Sequence, residues 1–169
     1  MGYWGYYVVG RGERSLGERD ALAAVRDELT LLERRADGWQ VWECTGGDDG
    51  TRDIGGMMTL ARETGAPALF GYVMDSDCVV VEGAAPESGA WTTCLARPAM
   101  AVHLGRDERA LEDYFLDPAD AAERAVAWAA EAGGTVPAGP LVDVLNAPAD
   151  PSAEHLFFRF LERLGVVKF

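Results

Sequence analysis

Five strand-like segments, separated first by helical patterns and then by tight turns, dominate the first 96 residues of this 169-residue chain. Helical crossovers favour parallel pairing of the strands that they connect, whereas tight turns favour antiparallel pairing. We therefore predict an α/β (or α+β) fold with a mixed five-stranded sheet in the order β-α-β-α-β-β-β, forming one globular domain over residues 1–169. The predicted strands cover residues 3–9, 39–45, 68–74, 78–82 and 91–96.

The longest helical pattern in this region follows the first strand. Ser15 and Glu18 have the spacing of a capping box, in which each side chain satisfies a free backbone N–H of the other residue. Apolar residues then recur at intervals of three and four, and Gly38 is placed to end the helix. This pattern predicts a helix whose apolar stripe consists of Leu22, Val25, Leu29, Leu32 and Ala36.

A helical C-terminal third follows from residue 98 onward. Asp107, Asp117 and Asp150 are placed to begin helices, and the last two precede a proline, which suits the first helical position. The final helix has an apolar face formed by Leu156, Phe157, Phe160, Leu161 and Leu164.

The charge balance limits the classes of partner. The 28 acidic and 15 basic side chains give a formal charge of -13, which repels nucleic acid and anionic lipid and attracts a basic protein.

Cys44, Cys78 and Cys94 are odd in number and form no CxxC pair, so we predict buried free thiols in a reducing, cytoplasmic setting. The N-terminal sequence lacks the pattern of a signal peptide, and we predict neither a membrane segment nor a bound cofactor.

Parallel pairing of the first three strands would bring their carboxyl ends to one edge of the sheet, where open α/β sheets bind ligands. The loops at that edge carry mixed charges, and two tryptophans on the strands are possible anchors of the kind that protein interfaces use. The predicted partner-binding residues are Arg11, Arg14, Trp42, Asp48, Asp49, Asp53, Asp75, Asp77 and Trp91.

Motifs that would identify a reaction are weak or missing. The glycine- and aspartate-rich loop at residues 46–50 lacks the lysine and the spacing of a phosphate-binding loop. The pair Asp75 and Asp77 has oxygen ligands suited to Mg²⁺ or Mn²⁺, yet aspartate is equally favoured in a tight turn. His103 and His155 stand far apart, and we predict neither catalytic residues nor a metal site.

Residues 66–77, with the sequence Ala-Pro-Ala-Leu-Phe-Gly-Tyr-Val-Met-Asp-Ser-Asp, resemble a segment of small acidic bacterial proteins. Some of those proteins look like the immunity proteins of toxin systems. The resemblance implies a non-catalytic protein that occludes a toxin.

Three functions follow as hypotheses. The first is a non-catalytic acidic binding protein, most concretely an immunity-type inhibitor of a basic toxin, which would use loop carboxylates to attract its partner. The second is a small metal-dependent enzyme that uses the aspartate-rich edge through Asp75 and Asp77. The third is a structural or regulatory homo-oligomer built on the C-terminal helices through Phe157 and Phe160.

Overall fold

A six-stranded antiparallel sheet in the order β2-β3-β1-β4-β5-β6 organises the computed structural model, which describes residues 2–45 and 55–167. The strands are β1 (Gly5–Arg11), β2 (Leu29–Arg34), β3 (Trp39–Cys44), β4 (Ala68–Met74), β5 (Cys78–Ala85) and β6 (Gly89–Leu95). The α-helices are α1 (Met57–Thr64), α2 (Arg97–Leu104), α3 (Pro118–Ala130), α4 (Ala138–Leu145) and α5 (Ala153–Arg163). Short 3-10 helices occupy Leu16–Glu18, Asp20–Glu28 and Glu108–Asp113. The mixed helix-and-strand character and the helical C-terminal third are confirmed.

The helix predicted over residues 15–36 is wrong. Its first part forms 3-10 helices, and its second part is strand β2, which joins β3 through a hairpin turn. At that turn Gly38 has a φ of 98° and donates its N–H to the carbonyl of Arg35. Ser15 does not cap a helix, because its hydroxyl instead accepts a hydrogen bond of 2.7 Å from Arg34. The sheet therefore gains a sixth strand where the sequence pattern indicated a helix.

Every strand pair in the sheet is antiparallel, which corrects the predicted mixed sheet. Strands β3 and β4 each pair antiparallel with β1, so they run in the same direction as each other. The connection through α1 thus joins two co-directional strands, as a helical crossover does, but β1 lies between them.

Apolar side chains fill both faces of the sheet. One face packs against the C-terminal helices, with Trp39, Phe157 and Trp128 among its fully or nearly fully buried side chains. The other face packs against α1 and the N-terminal 3-10 helices through a smaller cluster. Gly71 lies directly under Phe157, where a Cβ would overlap the ring, so its lack of a side chain allows α5 to approach the sheet.

The two outer edges of the sheet differ. The edge of β6 is covered, because the carbonyl of Thr92 accepts the N–H of Leu116 and the carbonyl of Ala90 accepts the guanidinium of Arg124, both at 2.9 Å. On β2, by contrast, the backbone of residues 30–34 has no hydrogen-bond partner outside β3 within residues 2–45 and 55–167. An edge strand of this kind presents unused N–H and C=O groups to another strand.

Burial raises the pKa of the Cys78 thiol to about 12 and that of the Cys94 thiol to about 11. Cys44 is also buried, and none of the three cysteines forms a disulfide bond, which confirms the predicted buried thiols. Among the described residues, no helix has both the length and the apolar character needed to cross a membrane.

Candidate functional site

The turn between β4 and β5 forms hydrogen bonds with two other parts of the chain. Asp75 and Ser76 both adopt positive φ, at 53° and 56°, and the carboxylate of Asp75 accepts the N–H of Gly2 at 2.7 Å. The Ser76 hydroxyl accepts the N–H of Tyr3 at 2.7 Å and donates to the carboxylate of Glu154 at 3.1 Å. This turn therefore fastens the N-terminal segment and the first turn of α5, and Asp75 already has a structural partner.

Asp77 is the exposed residue of the same turn. Its carboxylate lies 3.2 Å from Nε2 of His103 on α2, and the His103 and Trp4 rings pack in a T-shaped arrangement at a centroid distance of 6.2 Å. Within the described part of the chain, no group of three or more histidine, cysteine or carboxylate side chains could hold a metal ion.

The predicted convergence of Arg11 and Arg14 with the aspartate turn is wrong. Because β1 and β4 are antiparallel, Gly5 pairs with Val73 beside that turn, whereas Arg11 lies at the opposite end of β1. A seven-residue strand separates its ends by about 20 Å. Arg11 instead donates to the carbonyl of Asp37.

The two tryptophans predicted as anchors differ in their exposure to solvent. Trp91 is 4% exposed and packs over Gly83, which corrects its assignment as a surface anchor. Trp42 is half-buried and donates its indole N–H to Gln40 at 2.9 Å, so part of its ring faces outward. Asp48, Asp49 and Asp53 lie outside the described residues.

Phe157 and Phe160, the predicted contacts of a homo-oligomer, are both fully buried against the sheet. They stabilise the fold of one chain and have no surface left for a second copy. A homo-oligomer through these two side chains is therefore excluded by the packing of α5.

An acidic depression lies where the 3-10 helix Glu108–Asp113 leads into α3. It has a volume of about 330 Å³, and its walls combine carboxylates with the half-exposed ring of Tyr114. Asp117 caps α3 by accepting the N–H of Asp120, which fixes two of the carboxylates at the helix start. The acidic residues that line it are Glu112, Asp113, Asp117 and Asp120.

The exposed apolar contact area of the acidic depression comes from Tyr114, which is 50% exposed. Arg106 lies 5.8 Å from the centre of the Tyr114 ring. None of the four lining carboxylates forms an ion pair with a cation inside residues 2–45 and 55–167. The depression thus combines four carboxylates that form no ion pair within the described residues with the partly exposed ring of Tyr114.

The sequence did not lead us to predict the acidic depression, because we placed the candidate site at the carboxyl ends of the strands and not among the C-terminal helices. The signal was present in the density of acidic residues between positions 107 and 120. Those residues are Asp107, Glu108, Glu112, Asp113, Asp117 and Asp120.

A larger groove of about 510 Å³ runs along α5. At its start the Ser152 hydroxyl lies 2.7 Å from Nδ1 of His155 and accepts the backbone N–H of the same residue. A serine nucleophile is activated through Nε2 of a histidine whose Nδ1 is oriented by a carboxylate. Here the serine hydroxyl lies at Nδ1 instead. The Ser152–His155 contact is therefore a helix cap. The residues lining the groove are Pro151, Glu154, His155, Phe158, Arg159 and Glu162.

A tyrosine pair contacts Phe158, which lines this groove. The Tyr3 hydroxyl donates to the carboxylate of Glu43 at 2.7 Å, and the Tyr3 ring stacks on Tyr7 at 5.6 Å. Burial raises the pKa of Tyr7 to about 12, and burial together with the bond to Glu43 raises the pKa of Tyr3 further. Both side chains therefore remain neutral donors over the physiological pH range.

We expect the free energy of unfolding to fall as the pH rises from about 10, where a tyrosine in the unfolded chain ionises. The folded chain holds the Tyr7 proton to a pKa of about 12, so the unfolded state releases its proton first and is favoured between these values. Urea unfolding at pH 9, 10 and 11 measures the effect. The Tyr7→Phe variant should lose less stability over this window than the wild type, and an equal loss in both would contradict the assignment.

Compared with models of protein families, with curated proteins and with solved structures, the chain gives no match.

Proposed function

We propose that this chain is a non-catalytic acidic binding protein for a basic protein partner, most concretely an immunity-type inhibitor of a basic toxin. The observation that carries the proposal is the acidic depression beside exposed Tyr114. The resemblance of residues 66–77 to immunity-type proteins supports the choice of a toxin as partner.

Electrostatics favours this type of partner. A chain with a formal charge of -13 attracts a basic protein over several ångströms, and local carboxylates orient the encounter. Glu112 and Asp113 precede Tyr114 in sequence, Asp117 and Asp120 follow it, and all four line the depression. A lysine or arginine side chain entering the depression would meet carboxylates from both segments.

Apolar contact supplies the second part of the interaction. Tyrosine is enriched among the residues that dominate binding energy, because its ring offers rigid area and its hydroxyl offers a hydrogen bond. Tyr114 is 50% exposed, and its ring lines the depression itself. A basic protein with an apolar patch beside its cations therefore fits this surface better than a flexible polycation does.

Binding of a fluorescent oligo-arginine peptide tests the acidic depression directly. We expect the double change Glu112→Gln with Asp113→Asn to weaken binding about threefold to tenfold, since each exposed ion pair contributes roughly 0.2–1 kcal/mol. The matched control, Glu13→Gln with Glu87→Gln, removes the same charge from exposed sites elsewhere. Equal weakening by both double variants would show that only net charge matters and would contradict a localised site.

The protein partner itself is sought by affinity capture and then titrated with salt. The captured basic protein should dissociate progressively as the ionic strength rises, because salt screens exposed charges. With that protein as ligand, Tyr114→Ala should weaken binding by roughly fivefold or more. A complex that is unchanged by salt and by Tyr114→Ala would overturn the proposed surface.

A further inference from the structure

A small pocket lies where β1 ends, on the side of the sheet that packs against the C-terminal helices. Its volume is about 280 Å³, and it is bordered by the last residue of β1, the turn between β2 and β3, and the segments that follow α3 and α5. Among the residues that the structure describes, it shares no lining residue with the acidic depression. The pocket is therefore a separate candidate binding site.

The cation of this pocket is Arg11, which two backbone carbonyls hold in place. Its Nε donates to the carbonyl of Asp37 at 3.0 Å, and its Nη1 donates to the carbonyl of Ala132 at 3.3 Å. Inside residues 2–45 and 55–167, no carboxylate pairs with Arg11, and its Nη2 forms no hydrogen bond. An arginine fixed in this way presents unused N–H donors in a set orientation.

The negative groups around the pocket already have partners. The carboxylate of Asp37 pairs with Arg35 at 2.9 Å through Oδ2 and accepts a backbone N–H through Oδ1. Arg35 also donates to the carbonyl of Gly165 beyond α5, and Arg11 donates to that of Ala132 beyond α3. Since each of these helix ends has a cation on its carbonyls, an incoming anion meets little uncompensated negative charge there.

Apolar side chains form the floor of the pocket. Arg11 and Trp39 are paired across β1 and β3, so their side chains lie on the same face of the sheet. Trp39 is 7% exposed and stacks on Trp128 at 5.4 Å, and Leu164 is also buried. Val136 is half-buried and completes the apolar lining. The ligand therefore needs an apolar part beside its charged group.

The segment after α3 supplies further donors. Gly133 has a φ of 84°, which ends the helix and leads the chain into residues that line the pocket. The backbone N–H groups of Thr135 and Val136 form no hydrogen bond within residues 2–45 and 55–167. This wall thus adds unused N–H donors to those of Arg11.

We propose that this pocket binds a small carboxylate with a flat apolar body. The carboxylate accepts from the free N–H groups of Arg11, because the guanidinium matches a carboxylate through two parallel donors. The apolar body lies beside Trp39 and Val136. The volume lies near the lower limit of small-molecule sites, roughly 300 Å³, which restricts the ligand to about one ring. A single unpaired cation among apolar walls suits one negative charge better than the several charges of a phosphate group.

A titration with benzoate, followed by ¹H–¹⁵N NMR, tests the pocket. We expect a Kd on the order of 1 mM from one ion pair and one ring, with shifts at the Nε–H of Arg11 and the backbone N–H groups of Thr135 and Val136. Benzamide has nearly the same shape without the charge. It should bind roughly tenfold more weakly or not at all, because the charge-assisted hydrogen bonds are lost.

Substitutions of Arg11 separate its geometry from its charge. Arg11→Met should abolish binding, and Arg11→Lys should weaken it roughly threefold or more, since an ammonium keeps the charge but lacks the planar pair of donors. The matched control Arg62→Met removes an exposed arginine from α1, which packs on the other face of the sheet, and should bind benzoate like the wild type.

A third variant leaves Arg11 in place. Val136→Phe fills part of the pocket and should weaken benzoate binding roughly tenfold, because a cavity of this size has little spare volume. Thermal unfolding of each variant establishes that it is folded before its affinity is interpreted.

Three results would each overturn the proposal. The first is the absence of saturable shifts at a large excess of benzoate, and the second is equal affinity for benzamide. The third is an equal loss of affinity in Arg11→Met and Arg62→Met, which would show that only net charge matters. These measurements do not involve Tyr114 or the acidic depression, so they are independent of the proposed function.

Discussion

Replacing Gln40 with methionine is expected to lower the free energy of unfolding by about 3–5 kcal/mol. Gln40 is fully buried, and its amide makes four hydrogen bonds. The oxygen accepts from the Leu16 N–H and the Trp42 indole, and the nitrogen donates to the carbonyls of Gly12 and Arg14. Methionine has a similar length but satisfies none of them. Chemical unfolding followed by fluorescence measures the change.

The change Gln40→Glu tests the same network with a different dependence on pH. A carboxylate retains the two acceptor positions but faces the carbonyls of Gly12 and Arg14 without a donor. Protonation restores one donor, so the stability of this variant relative to the wild type should increase as the pH falls. A stability loss below about 1 kcal/mol for both variants would contradict the view that this amide holds residues 12–16 against β3.

Truncation of Trp128 to alanine is expected to destabilise the fold by about 3–5 kcal/mol, because it removes the largest fully buried side chain between α3 and the sheet. Its ring stacks on Trp39 at a centroid distance of 5.4 Å. Its indole N–H donates to the carbonyl of Ala68 at 2.9 Å, which ties α3 to the start of β4. Thermal and urea unfolding measure the loss.

Trp128→Phe should have an intermediate effect, since it keeps an aromatic ring beside Trp39 but removes the bond to Ala68. The exposed change Tyr114→Ala serves as the control and should alter stability by less than about 0.5 kcal/mol. A loss from Trp128→Ala no larger than that from Tyr114→Ala would mean that α3 contributes little to the core.

Elements bounded by strong local signals were predicted well from the sequence. Strand β4 has the predicted bounds, since an apolar run is enclosed by a proline and an Asp-Ser-Asp turn. The Asp117 cap before Pro118 marks the start of α3, and the side chain of Asp107 accepts the N–H of Ala110 as a cap. Each of these signals acts over a few residues, and tertiary packing leaves the local structure that it favours unchanged.

The helix predicted for the segment from Ser15 to Arg34 is wrong although its apolar spacing suits a helix. Contacts with residues distant in sequence stabilise a different structure there. Asp37 and Gly38 form the kind of dipeptide that favours a hairpin, and Gly38 was interpreted as the end of a helix. Pairing with β3 then draws Leu29–Arg34 into the sheet. Without a first helical crossover, β1 runs opposite to both β3 and β4, and the predicted common edge for Arg11 and Asp75 is lost.

Strand order also sets the distance between the acidic depression and the outer strand β2. The residues that lead into the depression cover β6, whereas β2 lies at the opposite edge of the sheet. Five intervals of about 4.8 Å between neighbouring strands place these two edges roughly 24 Å apart. A side chain that enters the depression therefore makes no contact with β2, and the two ends of the sheet can be occupied independently.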